Sequence, residues 1–289
     1  MPQGVRNACP AWVPDGRDRA YLIYRSEEGG GMVYDTLNYT VDEHVAEIVF
    51  DQPESRNALS QALIADAIDA FDRAATDDEV RAVLLTGSGD TFCAGGDLEE
   101  FREMREASSS VELLDEASSE LLKQLVEFEK PVIGAVNGDA VGGGTGIVAA
   151  CHVAYAAPDA RLGTVELKIG MFPFAIFPIL RDRIGDGRAL ELALTGGLIP
   201  ADRAADIGLV TAVANDPLEE ARETARRTAS FSPLALGVGL RAVRETEGMP
   251  TVRAIDAMSA YRAPIYKSRD LREGAEAFLE DREPEWEGR

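Results

Sequence analysis

Apolar and polar side chains alternate through "HVAEIVFDQP", which predicts a strand closed by proline. In "SQALIADAIDAFDRAA" the spacing changes to three and four. Leu63, Ala67, Ala70 and Phe71 then share one helix face, and Ser60 is placed to cap the N-terminus. "RAVLLTG" is an unbroken apolar run of strand length, as expected of a strand covered on both faces. Helical spacing returns in "VELLDEASSELLKQLVEFE" and stops before Pro131. "PVIGAVNG" is the next strand, "GGGTGIVAA" opens a helix, and "VAYAAPDARLGTVEL" reads as two short strands around a turn. From about Ala175 onward the pattern is helical, apart from a strand in "GLVTAVA". Short strands alternating with longer helices predict an α/β architecture.

Two stretches share one design. "TFCAGGDLEEF" follows an apolar run with glycines and then an acid, Asp97, placed as an N-cap, with Glu100 three residues later to complete a capping box. "VNGDAVGGGTG" again follows an apolar run with glycines and a helix start. In both loops small residues leave the backbone N–H groups open to an approaching acceptor. Two such loops on neighbouring strands can aim two donors at one point, the geometry that stabilises negative charge developing on an oxygen. Rival motifs fail. "GSGDTF" carries Phe92 where a dinucleotide fingerprint needs its third glycine, "GGGTG" lacks the GK[ST] ending of a phosphate loop, and there is no GxSxG nucleophile elbow.

"RAVLLTGSGDTFCAGGDLEEF", "KPVIGAVNGDAVGGGTGI" and "ARLGTVELKIGMFP" together resemble the crotonase, or enoyl-CoA hydratase/isomerase, superfamily. "DQPESRNALS" and "SRDLREGAEAFLEDREPEW" resemble its N-terminal coenzyme A-binding stretch and its C-terminal helix, so the likeness runs from about Met32 to Trp286. It implies an α/β fold, a crotonase-type spiral of ββα units with a C-terminal helical region. It also implies that the backbone N–H groups of Ala94 and Gly143 hold an acyl-CoA thioester oxygen. Ala58, Ala94, Gly95, Gly96, Asp97, Leu98, Gly142 and Gly143 would line the path of the substrate, with Arg56 near its phosphates. Coenzyme A is part of the substrate; no metal or redox cofactor is implied. A homotrimer or dimer of trimers is implied, with helices from about Pro233 completing the domain or a neighbour's pocket.

Hydratases of this family typically use two glutamates. One matches Glu166 in "GTVELKIG"; at the other position this chain has Gly146, which cannot hold a proton. Glu166, flanked by "ARLG" and "MFPFAIFP", is expected against a dry pocket that raises its pKa. One glutamate supports water addition to an enoyl-CoA, or isomerisation by moving a proton between the α and γ carbons. A non-catalytic acyl-CoA-binding protein is the reading from a different class. Gly146 is either a lost acid or room for a branched acyl group.

Composition changes this picture in one respect. Of 289 residues, 45% are apolar, ordinary for a chain that buries a core, but 29 basic residues face 51 acidic ones for a net charge of −22. Only Lys123, Lys130, Lys168 and Lys267 are lysines. This argues against nucleic acid as a partner, and the acidic, lysine-poor balance resembles proteins of salt-loving microbes. Neither an apolar run of membrane-spanning length nor a secretion signal is present, so a cytoplasmic protein without a membrane partner is expected. Cys9, Cys93 and Cys151 form no CxxC pair, which argues against a disulfide framework or zinc site. His44, expected in a strand, and His152, after an apolar helix, read as structural or surface residues. Residues 1–31 sum to zero charge and end in "EEGGGM", expected as a flexible extension, with Met32 a candidate true start. Residues 32–232 are expected to form the spiral core and 233–289 the C-terminal helical region.

Overall fold

The computed structural model describes residues 27–28, 31–32, 34–106 and 111–289. The extension expected over 1–31 thus lies outside the described residues, except where β1 (Glu27–Glu28) pairs antiparallel with β2 (Gly31–Met32). The main body opens with a hairpin, β3 (Leu37–Asp42) and β4 (Val45–Phe50), in register Asp42↔Val45. Its two-residue loop, Glu43 and His44, has φ of 47° and 64° at successive positions, as a type I′ turn requires. His44 is therefore a turn residue, not the strand residue expected. The turn lacks the Asn-Gly signature that would have announced it.

Helix α1 (Gln61–Thr76) follows, its N-terminus capped by the Ser60 hydroxyl, which accepts from Leu63 N–H at 3.2 Å. Leu63, Ala67, Ala70 and Phe71 are all fully buried. The chain then makes the same move three times: a strand in a large sheet, a strand in a small sheet, a helix. β5 (Ala82–Gly87) leads to β6 (Thr91–Cys93) and then α2 (Leu98–Glu106) and α3 (Val111–Glu127). β7 (Val132–Val136) leads to β8 (Asp139–Val141) and α4 (Gly143–Ala150). β9 (Val153–Ala156) leads to β10 (Arg161–Gly163), a 3-10 turn at Glu166–Ile169, and α5 (Phe177–Ile184). This is the ββα spiral. The two strands expected around a turn at 153–166 belong to different sheets.

α6 (Asp186–Thr195), β11 (Leu198–Pro200), α7 (Ala201–Asp206), β12 (Ala212–Val213) and α8 (Pro217–Ala229) complete the layers. α9 (Pro233–Glu245), α10 (Thr251–Ile265) and α11 (Arg269–Glu280) form the C-terminal region. The large sheet runs β12-β9-β7-β5-β4-β3, parallel except for the β3–β4 hairpin; the small one runs β11-β10-β8-β6, parallel except for β10–β11. β5 and β7 are buried along their whole length because both faces are covered. Ala82, Leu84, Ile133 and Ala135 pack against Ala221, Ala225 and Ala229 of α8, while Val83, Leu85, Val132 and Val136 face the main core. Among the described residues no helix is long and apolar enough to cross a membrane.

Candidate active site

The glycine loops do not leave the long buried strands directly. They leave β6 and β8, neighbouring parallel strands of the small sheet, and the next parallel strand, β10, leads to Glu166. Three adjacent carboxyl ends thus deliver Ala94–Asp97, Gly142–Gly143 and Glu166 to one edge, where ligands of parallel sheets commonly bind. Thr145 ties two of these ends together. Its buried hydroxyl accepts from Gly163 N–H at 2.9 Å and lies 2.6 Å from the Ala140 carbonyl.

Asp97 caps α2, accepting from the N–H groups of Glu99 (2.9 Å) and Glu100 (3.0 Å). The expected reciprocal half of the capping box is replaced: the Glu100 carboxylate accepts from Gln61 N–H at 2.9 Å and so caps α1. Leu59 N–H donates to Gly95 O at 2.8 Å, a second tie between this loop and the entry to α1. Ala58 is buried beside it, and Leu98 is exposed at the mouth.

The donor expected at Ala94 is corrected. Its N–H already donates to the Arg56 carbonyl at 3.0 Å and is not free for a ligand. In the same loop Gly96 N–H has no hydrogen-bond partner among the described residues, nor has Gly143 N–H, an orphan donor of the first turn of α4. The loops touch: a Cβ on Gly95 would stand 3.4 Å from Gly143 N, and one on Gly143 would strike Leu59 Cδ1 at 2.8 Å. Gly142 N–H is spent on Gly163 O at 2.8 Å, and its φ of +53° is the left-handed kind that glycine adopts at little cost.

Arg56 turns its side chain toward the start of the same two strands. Its guanidinium lies 3.5 Å from Thr91 Oγ1 and 3.9 Å from Asp139 Oδ2. Those residues open β6 and β8, at the end opposite the glycine loops. There it borders a cleft of about 590 Å³ shared with Asp90, Asp159 and Arg161.

Glu166 faces the start of α4. Its Oε1 lies 3.0 Å from where a Cβ on Gly142 would stand, so glycine is what lets the carboxylate come this close. Its Oε2 is buried without a hydrogen-bond partner among the described residues. Burial pushes this carboxyl above the ordinary range, partly offset by the backbone N–H groups of Glu166 and Val165. Gly146, expected as a lost acid or as room for a branched acyl group, has its side-chain place filled: a Cβ there would stand 2.3 Å from Ile176 Cγ2. "MFPFAIFP" divides between core and lip, with Pro173 and Ile176 buried and Met171 and Phe174 exposed. Cys93 is buried behind the loops with its thiol pushed up to about 12, which leaves it inert. Thr145 and Ile176 emerge here as site residues, and Gly96, expected only to line the substrate path, emerges as a loop donor without a partner among the described residues. Thr145 and the Gly96 donor depend on hydrogen bonds between distant segments, and the signal for Ile176 was Gly146 inside the helix start "GGGTGIVAA", which leaves a place for a side chain from elsewhere to fill.

Known proteins share the sequence and fold of this chain. Residues 40–289 match the model of the enoyl-CoA hydratase/isomerase family. A probable enoyl-CoA hydratase of Bacillus subtilis (strain 168) is 34% identical over 256 residues, 87% of this chain and 98% of that protein. An enoyl-CoA isomerase/hydratase of Mycosarcoma maydis is 33% identical over 257 residues, 85% of this chain and 93% of that one. The crystal structure of an enoyl-CoA hydratase from Bacillus anthracis superimposes with a TM-score of 0.84 at 31% identity, covering 88% of this chain and all of that one. The chain belongs to the enoyl-CoA hydratase/isomerase family.

Proposed function

We propose that the protein adds water across the α,β double bond of an enoyl-CoA thioester, with Glu166 as its only acid–base group. The observation that carries this reading is the buried Glu166 Oε2 beside the helix start that presents Gly143 N–H, both without a hydrogen-bond partner among the described residues. The thioester oxygen accepts from the N–H groups of Gly143 and Gly96. The Glu166 carboxylate takes a proton from water as the water oxygen bonds to the β carbon. The double-bond electron pair moves onto the thioester oxygen, where the two donors stabilise the enolate. The enolate collapses by taking the proton from Glu166 at the α carbon, which adds H and OH overall and restores the carboxylate. A raised carboxyl pKa suits a group that must both take and return a proton.

The apolar filling at Gly146 keeps a second reading alongside. One carboxylate suffices to move a proton from the γ to the α carbon through the same enolate, as in isomerisation. Ultraviolet absorbance of enoyl-CoA mixed with the protein separates the two. Loss of the conjugated-thioester band is expected for hydration; gain of that band from a β,γ-unsaturated isomer would favour isomerisation. No change with either would leave acyl-CoA binding without catalysis and sink both.

A further inference from the structure

Gly142 and Gly146 lie one turn apart at the start of α4, joined by the bond from Gly146 N–H to Gly142 O at 3.1 Å. Each is covered by side chains from other segments. Glu166 Oε1 stands over Gly142 at 3.0 Å from its virtual Cβ. Over Gly146 stands Ile176, with Cγ2 at 2.3 Å and Cβ at 2.9 Å from the corresponding point, and Leu122 Cδ2 at 3.5 Å. Ile176 is 3% exposed, so it cannot swing into solvent to make room. The three atoms nearest to that point are all carbon.

We infer that Ile176 is the specificity-determining residue of the acyl site: an apolar wall, one helical turn beyond Glu166, that restricts the substrate to short alkyl acyl groups. The inference rests on the acyl-CoA reading above. An alkyl tail that passes Glu166 toward the body of α4 meets Ile176 at carbon–carbon contact, which leaves no room there for a long chain. A charged acyl terminus is disfavoured too, because a carboxylate against Ile176 and Leu122 would be buried without a partner.

The test uses butyryl-CoA and octanoyl-CoA, saturated thioesters that bind without turning over. Their affinities are measured by calorimetry for the wild type, Ile176→Val and Ile176→Ala. The wild type is expected to favour butyryl-CoA. Ile176→Ala should move the ratio of the two affinities toward octanoyl-CoA by about tenfold or more, since one methylene is worth roughly 10–200-fold in an apolar pocket. Ile176→Val keeps a methyl for Gly146 and should move the ratio less. A side chain that merely packs the core would weaken both thioesters alike. A ratio within about twofold of wild type in folded Ile176→Ala and Ile176→Val overturns the inference, as does a wild type that prefers octanoyl-CoA. Chain-length discrimination without consumption of any enoyl-CoA would refute hydration and isomerisation while upholding the role of Ile176. Failure to bind either thioester would refute both.

Discussion

Glu166 is expected to carry turnover alone, because the place of a second acid at Gly146 is filled by Ile176. Glu166→Gln keeps the size and much of the hydrogen bonding but cannot act as a carboxylate base. Turnover of enoyl-CoA should fall by about 10²–10⁴ with acyl-CoA affinity little changed. The acid limb of kcat/KM should lie above the ordinary carboxylate range in the wild type, because burial raises this carboxyl, and should vanish in the variant. Unchanged turnover would place the proton carrier elsewhere. His152 has an effect on stability instead. Its Nδ1 accepts from Val132 N–H at 3.0 Å, and burial, with the charges of Arg183 and Arg244, lowers its pKa from 6.5 to about 4. Between those values the unfolded chain binds a proton that the folded protein refuses, so stability present above about pH 6.5 is lost as pH falls toward 4. Thermal melting across that window should show the loss, and His152→Asn, which keeps an acceptor near the Nδ1 position, should flatten it. An equal slope in both proteins would count against the assignment.

At the level of elements, the N-terminal turn of α4 is where backbone rather than side chain matters. Gly143→Pro deletes the free N–H and should lower turnover by at least about 10²–10³, the usual loss of one such donor. Circular dichroism must first show that the variant is folded. Cys93→Ser, buried behind the same loop, should be mild by comparison. A folded Gly143→Pro protein with near-normal turnover would dismiss the donor. The same contrast explains what could be read from the chain alone. β4, β5 and β7 were legible because five or six successive residues carry a period or an apolar run. β6, β8 and β11 have three residues each, too few for any period, so the small sheet stayed hidden and the loops were assigned to the wrong strands. "GLVTAVA" shrank to the two residues of β12 because the chain is still turning through Leu209–Thr211. The glycine loops and Glu166 stood out by residue type. Which loop N–H is free did not, since that depends on a carbonyl 38 positions away, Arg56 O on Ala94 N–H.

For the whole molecule, 51 acidic residues against 29 basic ones leave a surface that repels itself. Raising salt weakens ion pairs such as Arg241–Glu129 as well, but the excess of like charge is the larger quantity. The screening length falls from about 10 Å at 0.1 M to about 3 Å at 1 M. The melting temperature is therefore expected to climb over that range, and a flat profile would speak against adaptation to salt. The C-terminal helices pose a separate question of assembly. α10 buries no residue within its own chain, and α11 leaves Phe278 86% and Leu279 84% exposed. Light scattering at high salt should give three or six chain masses; a single chain mass would refute the expected trimer. One further consequence follows from donors that belong to the main chain. A substitution cannot delete such a group unless it introduces proline, and a new side chain matters only if it blocks or bends the path of the backbone. Descendants of this gene could exchange much of the surrounding surface and keep the chemistry, so the age of a divergence and the loss of an activity need not run in step.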